Sequence, residues 1–147
     1  MNVEVESATP GDLADIQRLL TAARLPTDDL ATAPIEFWVA RRGGAIAGTI
    51  ALERYGAEAL LRSLAVDAAA RRDGVGSALV ARLEADAQLA GVTTLVLLTQ
   101  TAAPFFASRG YEPLDRAAVP DDVGRSAQFS SLCPASARCL TKSLINR

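Results

Sequence analysis

Apolar and polar positions alternate with a period of two at the start of the chain, where Val3 and Val5 are set between Glu4 and Glu6, and this spacing predicts a short strand. The period then lengthens. Thr9 offers a hydroxyl cap, Pro10 suits the first helical position, and Asp12 complements the positive end of the dipole. Leu13, Ile16, Leu19, Leu20 and Ala23 follow at three- and four-residue steps, predicting a helix with one buried face that stops at Leu25-Pro26. Thr27 to Leu30 reads as a further helical turn.

Phe37 to Arg41 and Ile46 to Glu53 are apolar, partly β-branched runs separated by Arg42-Gly43-Gly44-Ala45, whose glycines supply the positive φ of a hairpin turn. Tyr55-Gly56-Ala57 makes the next turn, and Leu60 to Val66 reads as a third strand. From Val75 to Ala90 the period is helical again, with Val75, Leu79, Leu83, Ala87 and Ala90 on one arc, until Gly91 ends it. Thr94 to Thr99 is nearly all apolar, as in a strand covered on both faces, and is expected near the middle of the sheet. A short helix from Ala102 to Ser108 and a turn at Gly110-Tyr111-Glu112-Pro113 into an edge segment follow. Val119 to Gly124 is loop-like in composition, and the last strand falls within Arg138 to Leu144. The order is a mixed α+β pattern around one sheet, and 147 residues are enough for one domain spanning 1–147.

Composition narrows the chemistry. Arg62, Asp67 and Glu84 interrupt the apolar stretches, so no membrane span is expected, and the acidic start Met-Asn-Val-Glu-Val-Glu lacks the pattern of a secretion signal. A cytoplasmic protein is the expectation. Fifteen basic against 17 acidic residues leave no basic excess for a phosphate backbone, which argues against nucleic acid. The chain has no histidine, which removes the usual base of serine and cysteine hydrolases and the commonest ligand of catalytic zinc. No metal site is expected, although a thiol pair, Cys133 and Cys139, suits a soft ion such as arsenite; their plainer reading is as small, half-buried residues.

Between a strand ending at Leu64-Ala65-Val66 and the helix beginning at Val75 lies Arg71-Arg72-Asp73-Gly74-Val75-Gly76-Ser77. The first N–H groups of a helix have no intrahelical acceptor and sit at the positive end of its dipole, so they cradle a pyrophosphate where side chains are small. Gly74 and Gly76 permit close approach, and Arg71 and Arg72 add charge-assisted bonds. The plainer alternative is a glycine-rich helix start with solvated arginines. Neither a P-loop lysine followed by serine or threonine nor a G-x-G-x-x-G after the first strand is present.

Leu64-Ala-Val66 leading into Arg71-x-x-Gly74-x-Gly76, with Ala102-x-x-Pro-Phe-Phe106-x-x-x-Gly110-Tyr111 downstream, resembles the GNAT superfamily of acetyl-CoA-dependent N-acetyltransferases. The resemblance implies a mostly antiparallel sheet flanked by helices, in which Thr94 to Thr99 splays away from Leu60 to Val66. It implies acetyl-CoA as cosubstrate, with its pantetheine arm along Leu64, Ala65 and Val66, its pyrophosphate on the segment from Arg71 to Ser77, and Thr99, Phe105 and Phe106 beside it. It also implies direct transfer to an amine and, for many members, a homodimer. The chain departs from the family in two places: Phe106 stands where many members carry a proton-donating tyrosine, and Thr99 where many carry asparagine. Leu25-Pro-Thr-Asp-Asp-Leu30, Leu61-Arg-Ser-Leu-Ala-Val66, Leu98-Thr-Gln-Thr-Ala102 and Phe129-Ser-Ser-Leu-Cys-Pro-Ala-Ser136 are similar to the arsenic-resistance N-acetyltransferases within that superfamily.

Glu53 and Ser63 are the candidate catalytic residues, Glu53 as a base acting through an ordered water. Arg62, interrupting an apolar strand, is a candidate fork for a substrate carboxylate or oxyanion, with an ion pair to Glu53 or Glu58 as the plainer alternative. Tyr55, Phe37, Phe129 and Ser130 are candidate contacts to a small polar amine, with Trp38 a further wall and Gln128, Ser131 and Cys133 in a loop expected to close over it.

Overall fold

The computed structural model describes residues 3–30, 34–71, 73–133 and 136–145. Seven strands form one sheet in the order β1-β2-β3-β4-β5-β7-β6: β1 (Glu4–Ser7), β2 (Ile35–Arg42), β3 (Ala45–Tyr55), β4 (Glu58–Val66), β5 (Thr94–Thr99), β6 (Glu112–Pro113) and β7 (Arg138–Ser143). The helices are α1 (Leu13–Ala22), α2 (Val75–Leu89), α3 (Ala103–Ala107) and α4 (Asp121–Gly124). Every neighbouring strand pair is antiparallel except β4 and β5, which matches the mostly antiparallel, helix-flanked sheet that the GNAT resemblance implies.

Binary patterning accounts for most of it. The apolar arc of α2 packs Val75, Leu79 and Leu83 against Trp38, Ile50, Leu52 and Leu61 on one face of the sheet. The arc of α1 packs Ile16, Leu19 and Leu20 against Val39, Ile46 and Ala65 on the other. The alternation of β5 sends Leu95 and Leu97 to the first cluster and Val96 to a third, under α4, with Leu98 packed against it. Gly48 lets α2 settle so closely that an added Cβ would lie 3.0 Å from both Leu79 Cδ1 and Val75 Cγ1.

At α1 the chain opens with a short 3-10 turn, and Asp12 accepts from both the Thr9 N–H at 2.8 Å and the Thr9 hydroxyl at 3.1 Å. Residues 119–124, expected as loop, contain α4, because Pro120 precedes it, Asp121 and Asp122 occupy its first turn, and Val123 is fully buried. The expected loop at Gln128 contains a single π-type turn, Gln128–Leu132.

Candidate active site

The register between β3 and β4 jumps between Ala51↔Arg62 and Thr49↔Ala65, so β4 holds one extra residue. Ser63 has φ of 60°, left-handed for a non-glycine residue. The bulge exchanges the faces of the strand. Before it, Ala59 and Leu61 join the α2 cluster; after it, Leu64 and Val66 pack there and Ala65 turns to α1.

β4 and β5 pair only over Glu58–Leu60 and Thr94–Val96. Beyond these positions they diverge around a cleft of about 850 Å³, within the usual size of a small-molecule site. Its walls include Ser63 to Val66 of β4, Leu97 to Thr99 of β5, and Phe106. Arg71 lines it just ahead of α2. Ala23 to Pro26 and Asp28 line it from the segment after α1, with Gln128, Leu132 and Cys133 from the π-type turn.

Gly74 has φ of 80°, which glycine alone adopts without steric cost, and the first bond of α2 is Ala78 N–H to Gly74 O. The N–H groups of Val75, Gly76 and Ser77 thus precede the helical ladder. Gly76 also admits the Phe105 ring, whose Cζ would lie 3.3 Å from an added Cβ. The Ser77 hydroxyl accepts from Arg109, which stacks over Phe105. Val75 buries its side chain in the core, and Asp73 pairs with Arg42 at 2.6 Å. Arg71 Nε donates to the Val66 carbonyl at 3.3 Å. Arg72 lies outside the described residues.

Arg62 is the centre of a buried ionic cluster. Its guanidinium donates to both carboxylate oxygens of Asp29, at 2.6 and 2.7 Å, and to Glu53 Oε1 at 2.8 Å, with side-chain exposures of 0% for Arg62, 9% for Asp29 and 1% for Glu53. Burial opposes its charge, but the hydrogen bonds it donates to Asp29 and Glu53 outweigh that and hold its pKa above the ordinary value. Arg62 Nε also donates to Ser63 Oγ at 3.2 Å. The Tyr55 hydroxyl donates to Glu53 Oε2, and burial, then that bond, pushes the phenol above its ordinary value of 10.

These contacts redistribute the expected roles. Glu53 is not in the cleft wall, and its two oxygens are taken by Arg62 and Tyr55, so it reaches the cleft through Arg62. Arg62 does border the cleft, but its fork is closed on Asp29, a partner that the sequence reading did not assign. Asp29 lay within Leu25 to Leu30, a segment marked by a helical turn and by resemblance but not by chemistry. Phe37 packs beside the α1 cluster because the register of β2 turns it to that face; Phe129 and Tyr55 pack beside the α4 cluster. Trp38 is in the core, its indole N–H donating to Asp86 at 2.9 Å. Ser130 is exposed, and the Ser131 side chain lies outside the described residues.

Thr99 lines the cleft while its hydroxyl accepts from the Ala102 N–H at 3.0 Å, in the turn that leads into α3. Phe106 stands edge-on to Phe105 and Tyr111, with centroids 5.2 and 5.3 Å away. The Tyr111 hydroxyl points elsewhere, donating to Glu84 at 2.7 Å, and burial raises its pKa. Cys133 donates to Gln128 Oε1 at 3.4 Å, and burial raises its thiol pKa. Among the described residues, no group of three or more His, Cys, Asp or Glu is arranged to hold a metal ion, and no helix is long and apolar enough to cross a membrane.

A bulged strand, a diverging neighbour and a glycine-led helix together frame one cleft. Residues 33–113, more than half of the chain, match the Acetyltransferase (GNAT) domain, and the protein belongs to that family. Among solved structures, the N-acetylglutamate synthase of Neisseria gonorrhoeae, complexed with coenzyme A and N-acetyl-glutamate, matches at TM-score 0.85 and 20% identity over 99% of this chain. The match takes up 36% of that protein, so this chain spans about a third of its length. Rv2747 from Mycobacterium tuberculosis, in complex with CoA and NLQ, matches at TM-score 0.81 and 25% identity, covering 97% of this chain and 99% of that one. A PaiA N-acetyltransferase from Thermoplasma acidophilum, in complex with coenzyme A, matches at 0.72 and 14%, covering 97% and 99%. Comparison with curated protein sequences finds no match.

Proposed function

We propose that this protein transfers an acetyl group from acetyl-CoA to the primary amine of a small polar molecule, by direct attack. The observation that carries the reading is the cleft itself, opened by the Ser63 bulge and running to the start of α2. The fit is physical. The unpaired β4 edge from Leu64 to Val66 supplies backbone groups to an amide-bearing arm, while the N–H groups of Val75, Gly76 and Ser77, with Arg71, suit a pyrophosphate. Acetyl-CoA when bound supplies the activated acyl carbonyl.

The chain's own part is orientation and proton placement. Ser63 Oγ accepts from Arg62 Nε, so its own proton is available in the cleft to an oxyanion or departing sulfur. Glu53 holds Arg62, and with it Ser63; the amine attacks in its neutral form, and the proton it sheds on attack balances the one taken up by the departing sulfur. Phe106 and Leu97 keep this end of the cleft apolar.

An amino acid or an amino-acid-like arsenical is the proposed acceptor class, the latter because of the short blocks shared with arsenic-resistance enzymes. The setting proposed is cytoplasmic and the assembly a homodimer. The test incubates the protein with acetyl-CoA and a panel of such amines and follows free thiol. Turnover that falls at least tenfold in Ser63→Ala is expected, and silence across the panel would sink the transferase reading.

A second reading rests on Phe106, which bears no proton where the cleft needs a donor, and on Tyr111, whose hydroxyl is committed to Glu84. Under it the protein binds acyl-CoA as a sensor. Calorimetric binding of acetyl-CoA without thiol release would select it. Arg71→Ala combined with Gly74→Glu is expected to abolish binding under both.

A further inference from the structure

The carboxylate-reading role expected of Arg62 requires a guanidinium with hydrogen-bond donors turned to the cleft, and Arg62 has spent its own on Asp29, Glu53 and Ser63. Among the described residues, the other cationic side chains lining the cleft are Arg71, beside the start of α2, and Arg24. Arg24 is exposed, and its side chain has no hydrogen-bond or ion-pair partner among the described residues. Its backbone position is unusual. The Leu25 N–H bonds the Leu20 carbonyl at 2.9 Å and the Arg24 N–H the Thr21 carbonyl at 3.1 Å, the double closure of a helix end that places one residue in the left-handed region. That residue is ordinarily glycine; here it is Arg24, at φ 58°.

We propose that Arg24 reads an anionic group on the acceptor, making the substrate class a primary amine that also carries a carboxylate or a comparable oxyanion. The proposal rests on the acetyltransferase reading above. Three features favour the acceptor over the cofactor phosphates as its partner. Arg71 and the free N–H groups of α2 already serve the phosphate end. Asp29, five residues after Arg24, ties the same segment to Arg62, four residues from Val66 along β4 and therefore roughly 13 Å from where that strand enters the phosphate loop. Asp28, also on this segment and in the cleft wall, places a carboxylate near an acceptor's ammonium. Arginine binds a carboxylate with two parallel N–H bonds, which lysine cannot reproduce.

The experiment measures kcat/KM with acetyl-CoA for L-amino acids and their C-terminal amides, in wild type, Arg24→Gly and Arg24→Lys, with acetyl-CoA affinity and Tm measured on each. Wild type is expected to prefer the acid of each pair. Arg24→Gly should cut that acid-over-amide preference by roughly tenfold or more, with Arg24→Lys recovering part of it. The amine pKa difference within a pair cancels in the mutant-to-wild-type ratio. Since glycine suits the helix end better than arginine, the Tm of Arg24→Gly should be no lower than wild type. An unchanged preference overturns the proposal, as does a loss of acetyl-CoA affinity that assigns Arg24 to the cofactor. Turnover of neither member by wild type, with or without acetyl-CoA binding, overturns the acetyltransferase reading instead, and the proposal with it.

Discussion

Replacing Arg62 by methionine keeps the length and much of the apolar stem of the side chain but removes three charge-assisted bonds of 2.6, 2.7 and 2.8 Å. Asp29 and Glu53 would be left without their shared counter-charge at sites 9% and 1% exposed. Breaking a buried ion pair from one side costs about 3–5 kcal/mol, because the remaining charge is desolvated without compensation. Against a typical total of about 5–15 kcal/mol, this is a large fraction, and for a chain of this size it lowers Tm by on the order of 10 °C. The assay is thermal and urea unfolding followed by far-UV circular dichroism, with the same measurement on Arg62→Met combined with Asp29→Leu and Glu53→Met. The combined variant should recover most of the loss, since an intact buried ion cluster contributes little net stability over apolar packing. Should Arg62→Met alone fall within about 1 kcal/mol of wild type, the cluster would not be carrying a buried charge in the way described.

Gly48→Ala places a Cβ 3.0 Å from Leu79 Cδ1 and Val75 Cγ1 and 3.2 Å from the Ala65 carbonyl oxygen, and should cost about 1–3 kcal/mol in urea unfolding, with part regained when Leu79 is shortened to Val. Asp12 is held below its ordinary 3.8 by the Thr9 N–H first and then by Arg41. A depressed carboxylate stabilises the fold above its unfolded pKa and loses that contribution as pH falls through the folded one. Asp12→Ala should therefore be less stable than wild type by about 1 kcal/mol at neutral pH, and the gap should close as melts are taken from pH 5 toward pH 2.

The amphipathic periods made most of the elements legible, because a one-dimensional pattern of apolar positions states directly which face of a helix or strand must leave water. Thr94 to Thr99 is the clearest instance: its unbroken apolar run required cover on both faces, and Leu95 and Val96 do fall in separate clusters. Residues 119–124 were less legible. A four-residue helix is too short to show a period, and the burial of Val123 is set by Leu60 and Val96, which come from other strands.

The glycine positions before α2 were legible within a dozen residues, because a left-handed turn into a helix, as at Gly74, is local backbone geometry. What Arg62 does was not local. Its partner Asp29 is 33 positions away in sequence, and nothing in the alternation of β4 distinguishes an arginine that faces a substrate from one closed on a loop. Ser63 is similar: its left-handed φ follows from the register of β3 against β4, which depends on two strands at once. The sequence by itself thus carried the order of most elements, written in short-range spacing, and the family, through its resemblance. Tertiary structure alone decided which charged groups neutralise one another and which, as at Arg24, line the cleft with no side-chain partner among the described residues, because pairing of charge depends on distances across the fold.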